Sequence, residues 1–353
     1  VYISRYAFSE TTARYELTNE IAFDDKFGDT CFGKGISGEL RIKDGMTILP
    51  CLRNSENLIY VSIPSSVTSI GYCVFNGCNK LENIIVDKNN KVYDSRNNCN
   101  AIIETSTNAL IIGCKNTKIP NTIKSIENYA FKECSELKSI VIPNGVTKIG
   151  STAFWLCNNL VNVEMSNTIT SIEDNVFAGC SSLKKIKIPN SVTFIGPGAF
   201  SYCNNLTSVE MSESLTYIYD YMFNGCNNLA NINIPNGVTR IGPSAFSFCT
   251  SLEKIEIPNS VTFIGNWAFS FCSSLKNIKL PNSVATLEYD AFYGCKNLKS
   301  IFIPSSVTYV GRNVFSGCYN LTIYCKANEI PSKWSKSWNP AYCKVVWNSI
   351  NKA

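Results

Sequence analysis

Cysteine is the residue type in this chain whose number and spacing could do chemistry. The chain has 17 cysteines and no histidine in 353 residues. So many thiols could form a disulfide framework, a zinc site or a reactive nucleophile. No Cys-x-x-Cys pair occurs, which argues against zinc, and the missing histidine removes the usual base of a cysteine nucleophile. We therefore expect no metal, no cofactor and no catalytic residue.

The cysteine spacing is regular. A phenylalanine stands three residues before each regularly spaced cysteine, and a leucine stands three residues after it. Free cysteine packs as a small hydrophobe, so the pattern predicts a column of reduced thiols inside a stack of coils, each coil being one 23-residue repeat. The column comprises Cys78, Cys134, Cys157, Cys180, Cys203, Cys226, Cys249, Cys272, Cys295 and Cys318.

Each coil contains two extended segments joined by turns. In residues 206–211 apolar and polar positions alternate, as they do in a strand. Many coils then have Pro-Asn, which favours a turn, and a second short extended segment such as residues 192–195. Residues 199–203 are predicted to form a helical or 3₁₀ corner. Stacked coils would lie about 4.8 Å apart and bury one another's apolar faces.

The repeat is interrupted between Phe75 and Phe131 by an irregular insertion of about residues 87–119. Two apolar runs there flank a polar centre, which predicts a hairpin. With the turn at Ser106 and Thr107, Ile103 faces Leu110 and Cys99 faces Cys114. The two cysteines form either a Cys99–Cys114 disulfide or a packed pair of thiols. The hairpin either closes an irregular coil or projects as a binding element.

The two ends of the chain lack the repeat. Residues 1–47 are predicted to be an N-terminal cap, residues 48–325 the repeat solenoid and residues 326–353 a C-terminal cap. The tail, which holds three tryptophans, is interpreted first as a cap of the solenoid end, with a sugar-binding patch as the alternative. Cys325 and Cys343 either form a disulfide there or remain free thiols. The opening residues do not resemble a signal peptide, so we expect any export signal to lie outside this chain.

The motif A-F-x-x-C-x-x-L-x-x-I-x-I-P-N-x-V-T-x-I-G resembles that of the BspA-like, or treponemal-type, leucine-rich repeats over about residues 48–325. The resemblance implies a β-rich α/β solenoid, a right-handed horseshoe of such coils. It also implies a secreted or cell-surface protein of a host-associated microbe that adheres to host or microbial proteins, with no catalytic activity. The motif residues are structural, so the resemblance assigns no binding residue.

Two variable columns are candidates for partner binding. The first lies on the main strand and alternates in charge, which either supports the strand register or offers a polar face to a protein. Its charged members are Glu164, Lys187, Glu210, Glu256 and Lys279.

The second column is the x of V-T-x-I, which strand alternation places outward. It either packs between coils or forms an aromatic strip for a partner, with Arg240 against Phe263 as a cation–π pair. Its candidate binding residues are Phe194, Tyr217, Arg240, Phe263 and Tyr309.

The net charge and the apolar pattern of the chain exclude some classes of binding partner. A net charge of +5 with scattered Lys and Arg argues against nucleic acid, and no apolar stretch is long enough to span a membrane. We expect an extracellular protein partner, with a glycan as the alternative. Three functions compete: a protein-binding adhesin, a passive surface scaffold and a thiol enzyme.

Overall fold

The computed structural model describes residues 14–17, 36–49, 51–71 and 73–350. The chain divides into two compact units, Val1–Ile169 and Thr170–Ala353. Both are built from stacked β coils, which confirms the predicted β-solenoid. The α-helical part of the predicted α/β fold class is almost absent. Among the described residues the only helix is Arg96–Asn98, a short 3₁₀ turn.

The first unit contains three groups of strands. Its main strands are Arg14–Leu17, Ser37–Ile42, Asn57–Ile63, Asn83–Val86, Ser139–Ile142 and Asn162–Met165. Its short second strands are Ile48–Leu49, Ser69–Ile70, Ser125–Ile126 and Lys148–Ile149, and the insertion adds Tyr93–Asp94, Ala101–Glu104 and Ala109–Gly113. The parallel ladder begins before residue 48, because Ser37–Ile42 already pairs with Asn57–Ile63. Much of the predicted N-terminal cap lies outside the described residues.

The second unit repeats two strands per coil. Its main strands are Lys185–Lys187, Ser208–Glu210, Asn231–Asn233, Lys254–Glu256, Asn277–Lys279, Ser300–Ile303, Thr322–Cys325 and Lys344–Val346. Its second strands are Ser171–Ile172, Phe194–Ile195, Tyr217–Ile218, Arg240–Ile241, Phe263–Ile264, Thr286–Leu287 and Tyr309–Val310. Equivalent residues lie side by side: Ile255 pairs with Ile278, and Glu256 with Lys279.

The corner of each coil differs from the prediction. Residues 199–203 are neither α nor 3₁₀ helix but consecutive turns, in which Cys203 N donates to Phe200 O at 3.2 Å. Tyr202 has φ 58°, which a right-handed helix does not allow. Alternate N–H groups then point toward the next coil: Phe200 N donates to Met222 O at 2.9 Å, and Tyr202 N to Asn224 O at 2.7 Å. The corner is therefore a third inter-coil ladder.

The interior is a column of aromatic rings beside a column of thiols. The rings of Phe223 and Phe246 stack at 5.5 Å, and those of Phe246 and Phe269 at 5.4 Å. Glycine follows most of the second strands and there permits close coil contact: a Cβ on Gly265 would lie 2.7 Å from Pro243 N. The repeated Phe and most of the repeated Gly thus serve the stacking of the coils.

The insertion completes an irregular coil of the first unit. Ile103 pairs with Leu110 as predicted, and Ala109–Gly113 pairs in parallel with Ser125–Ile126, so the hairpin lies within the stack. A register shift between Ile102 and Ile103 makes Ala101 pair with Gly113, which moves Cys99 out of register with Cys114. Both thiols are free and buried, so the Cys99–Cys114 disulfide is not formed.

The tail packs onto the last coil. Lys344–Val346 pairs with Thr322–Cys325, and buried Trp334 donates from Nε1 to Val307 O at 3.2 Å. Trp338 is also buried, in edge contact with Phe315 at 6.0 Å. Cys325 and Cys343 are free, because the Cys343 thiol donates instead to Cys318 O at 3.2 Å. Burial of two tryptophans favours a cap over an open sugar-binding patch.

Candidate functional site

The thiol column lies inside the coils. In the second unit, the Cys249 thiol donates to the backbone oxygen of Phe223 in the preceding coil at 3.2 Å. Burial raises the pKa of Cys203 to about 12 and the pKa of Cys226 well above its usual value. Because the nucleophile is the thiolate, these cysteines are protonated and unreactive at neutral pH. Cys134 is the member of the column that is partly exposed.

A cavity of about 210 Å³ lies in the first unit between the coil of Phe75 and that of Phe131. Thiols from Cys73, Cys78, Cys114 and Cys134 line it. Burial raises the pKa of Cys78 to about 12 and of Cys114 to about 11, which disfavours the thiolates that a metal requires. Among the described residues, no three His, Cys, Asp or Glu side chains are placed to hold a metal ion.

The charged column on the main strands faces solvent, and its members differ in their partners. Lys187 and Glu210 form an exposed ion pair at 3.2 Å between adjacent coils. Glu256 instead accepts from Lys254 of its own strand at 2.6 Å, and that contact lowers the Glu256 pKa. Glu164 accepts from Asn162, also on its own strand, at 3.1 Å, while Lys279 lies in register beside Glu256. Exposed pairs of this kind stabilise little, and they fit both a support for strand register and a polar face for a protein partner.

The V-T-x-I column also faces outward, since each of its residues is partly or fully exposed while the next residue is buried. The Arg240 guanidinium lies 4.0 Å from the centre of the Phe263 ring. From Tyr217 to Tyr309 the column runs in register over consecutive coils, through Arg240, Phe263 and Thr286. We name Phe194, Tyr217, Arg240, Phe263 and Tyr309 the strand-edge strip.

Tyr219 is a member of this surface that the sequence analysis missed. Its ring contacts Tyr217 at 4.4 Å and the edge of Phe194 at 5.1 Å, and so joins two rings of the strip. The sequence did mark Tyr219 as unusual, because it occupies the repeat position that holds glycine in most coils. The strip is therefore partly packed against itself and partly open to solvent.

Within the described part of the chain, no helix has the length and apolar character needed to cross a bilayer. Cys51, which lies between the strands Ile48–Leu49 and Asn57–Ile63, is disulfide-bonded. The other cysteines in the described part of the chain are free thiols, and most of them are buried.

Known proteins similar to this chain are repeat proteins. A leucine-rich repeat protein from Bacteroides ovatus is 27% identical, with a TM-score of 0.52, covering 88% of this chain and 83% of its own. The pneumococcal vaccine antigen PcpA is 22% identical, with a TM-score of 0.52, covering 89% and 77%. A leucine-rich repeat protein from T. pallidum is 26% identical, with a TM-score of 0.45, covering 49% and 86%. No curated protein sequence matches significantly.

The family comparison covers nearly the whole repeat region. Residues 1–101, 103–229 and 193–322 match the family described as the BspA type leucine-rich repeat region, in six copies. Within the matched residues, the repeated Phe, Cys and Gly make the inter-coil packing contacts. The chain is therefore a member of the BspA-type leucine-rich repeat family.

Proposed function

We propose that this protein is a non-catalytic scaffold, secreted or held at the cell surface, that binds proteins on host or microbial surfaces through the strand-edge strip. The observation that carries the proposal is the in-register run of exposed aromatic and arginine side chains over consecutive coils. Aromatic residues and arginine dominate the energetic centres of protein interfaces. The repeated Phe, Cys and Leu side chains are buried in packing, so binding falls to exposed columns such as this one.

The disulfide at Cys51 supports an extracellular location, because disulfides persist in oxidising compartments. Reduced thiols elsewhere are compatible with that environment. Cys226, Cys249 and Cys272 are fully buried, and oxidation requires an accessible thiolate.

A passive surface scaffold is the second candidate function. The contacts of Tyr219 with Phe194 and Tyr217, and of Arg240 with Phe263, favour it because they give the strip a packing role. A thiol enzyme is disfavoured by the raised pKa of the column cysteines and of Cys114. The two remaining candidates differ in whether the strip is needed for adhesion.

The test uses the full chain and the variant Phe194→Ser, Tyr217→Ser, Phe263→Ser, applied to immobilised extracellular-matrix proteins and mucins. We expect the wild-type chain to bind at least one of them and the variant to lose that binding while keeping its circular dichroism spectrum. The control variant Tyr319→Ser, Tyr342→Ser removes exposed aromatics outside the strip and should bind normally. Equal binding by all three proteins would support the passive scaffold.

A further inference from the structure

A second aromatic surface lies on the corners of the coils, away from the strand-edge strip in sequence. Five aromatic residues there adopt positive φ: Tyr202 at 58°, Tyr221 at 56°, Phe248 at 60°, Trp267 at 52° and Phe271 at 58°. They flank the buried phenylalanines of four consecutive coils of the second unit. We name these five residues the turn-face patch.

The fold requires the backbone conformation at these positions but not the rings. The same two positions in other coils also have positive φ and hold glycine, asparagine or various other residues, among them Gly179, Gly225, Gly294, Asn175, Asn313, Thr152, Leu156, Ser244 and Asp290. The turn therefore accepts many side chains and does not require an aromatic ring. Exposed rings at these positions point to a role outside folding.

The rings are presented to solvent. Tyr202 is 59% exposed, Tyr221 48%, Phe248 47% and Trp267 40%. Phe248 stacks on Phe271 with centroids 4.6 Å apart. The Tyr202 ring lies over the next coil at Gly225, where a Cβ would come within 2.7 Å of it. Tyr202 is thus held against a glycine and Phe248 and Phe271 against each other, while Trp267 makes an edge contact with Tyr289 at 5.0 Å.

The patch's own segments are polar and almost uncharged, whereas at the Trp267 end the Asp290 carboxylate of the next coil accepts a hydrogen bond from Trp267 and lies near Arg312. Segments 197–206, 243–252 and 266–275 contain no Lys, Arg, Asp or Glu, and segment 220–229 contains only Asp220. Exposed amides line the same turns, and Asn228 donates to Asn205 of the preceding coil at 3.1 Å. By contrast, the main-strand face carries the Lys187–Glu210 pair.

We propose that the turn-face patch is a binding site for a neutral glycan chain. The apolar C–H face of a pyranose ring would stack on the exposed aromatic rings, while sugar hydroxyl groups would bond to the neighbouring asparagine and serine side chains. An anionic glycan would require lysine or arginine, which these segments lack. The site is separate from the protein-binding strip and adds a second ligand class to the proposed function.

The test measures retardation of the full chain in native gels that contain soluble mannan, xylan, galactan or a mixed-linkage β-glucan, with heparin as the anionic probe. We expect at least one neutral polysaccharide to retard the wild-type chain. The variant Tyr202→Asn, Tyr221→Asn, Phe248→Asn should lose that retardation and remain folded, because asparagine accepts positive φ.

Two control variants separate this result from other causes. Tyr319→Asn, Tyr342→Asn removes exposed aromatics elsewhere and should be retarded like the wild type. The strand-edge variant Phe194→Ser, Tyr217→Ser, Phe263→Ser should also be retarded, so the two sites can fail independently. Retardation by none of the neutral polysaccharides, by heparin alone, or equally by the asparagine variant would overturn the proposal.

Discussion

The cysteine of each coil fills a small apolar slot and also bonds to the coil before it. The Cys226 thiol donates to Phe200 O at 3.2 Å, and the Cys272 thiol to Phe246 O at 3.1 Å. The regular spacing predicted burial of the thiol. It could not predict this hydrogen bond, because the direction of the S–H group depends on the turns of the neighbouring coil.

The buried thiols should make the protein unstable in alkali. Burial raises the pKa of Cys203 from 9.0 to about 12, so the folded state keeps protons that the unfolded chain releases above pH 9. This stability is fully present below the unfolded pKa and is lost as pH rises toward the folded pKa. At pH 10 each such thiol would cost about 1.4 kcal/mol of the free energy of unfolding. We expect the urea midpoint, measured under reducing conditions, to fall steeply between pH 8 and pH 10.

The control for this prediction is the variant Cys203→Ala, Cys226→Ala, Cys249→Ala. It should be less stable than the wild type at pH 8 because it loses packing and three hydrogen bonds. Its midpoint should nevertheless fall less between pH 8 and pH 10, since three titrating thiols are gone. An equal fall in both proteins would assign the effect to other groups, such as tyrosine and lysine.

At the scale of elements, the sequence predicted what depends on residue alternation and missed what depends on local backbone angles. The second strands, the hairpin and the pairing of Ile103 with Leu110 follow from apolar patterns and turn residues. The bulge beside Ile103, which moves Cys99 away from Cys114, leaves no mark in those patterns. The turn ladder at the corners was missed because the spacing of three between Phe, Cys and Leu also fits a 3₁₀ turn, although Gly179, Gly225 and Gly294 at the same position indicate positive φ.

Gly113, in the insertion, leaves no room for a larger side chain. It lies against the core ring of the next coil, and a Cβ there would be 2.0 Å from Phe131 Cε1. The Phe131 ring is held by stacking on Phe154 at 4.9 Å and has limited freedom to move. Gly113→Ala should therefore lower the free energy of unfolding by about 1–3 kcal/mol through overpacking. Urea denaturation measures this change.

Gly71 provides the matched comparison within the same unit. A Cβ at Gly71 would meet its nearest neighbour, Val74, at 3.8 Å, an ordinary contact distance. Gly71→Ala should change stability by less than about 1 kcal/mol and could stabilise the fold by restricting the unfolded chain. If both substitutions had the same effect, contact with Phe131 would not be its cause.

At the scale of the whole chain, the repeat predicted the coils and aligned the columns that identify the strand-edge strip. It did not predict the division at residue 169, because the 23-residue period continues across that point and only single positions depart from the motif, such as Ser166 for proline and Glu173 for glycine. The ring contacts of Tyr219 and the positive φ of the turn-face residues became recognisable only with the backbone conformation known. The buried residues that repeat in every coil can thus be predicted from the 23-residue period alone. Predicting a binding surface also requires knowing where each variable side chain lies on its coil.

A protein made of equivalent coils should tolerate removal of one whole coil. Deleting residues 224–246 joins Phe223 to Ser247 and leaves the motif in phase, because the deletion has the 23-residue length of the repeat. Nearest-neighbour stacking then predicts a folded chain with a similar circular dichroism spectrum, cooperative unfolding and somewhat lower stability. Deleting residues 224–235 instead removes 12 residues and places phenylalanine and cysteine positions against strand positions. That chain should lose its cooperative transition, and equal damage from the two deletions would contradict the requirement for register along the stack.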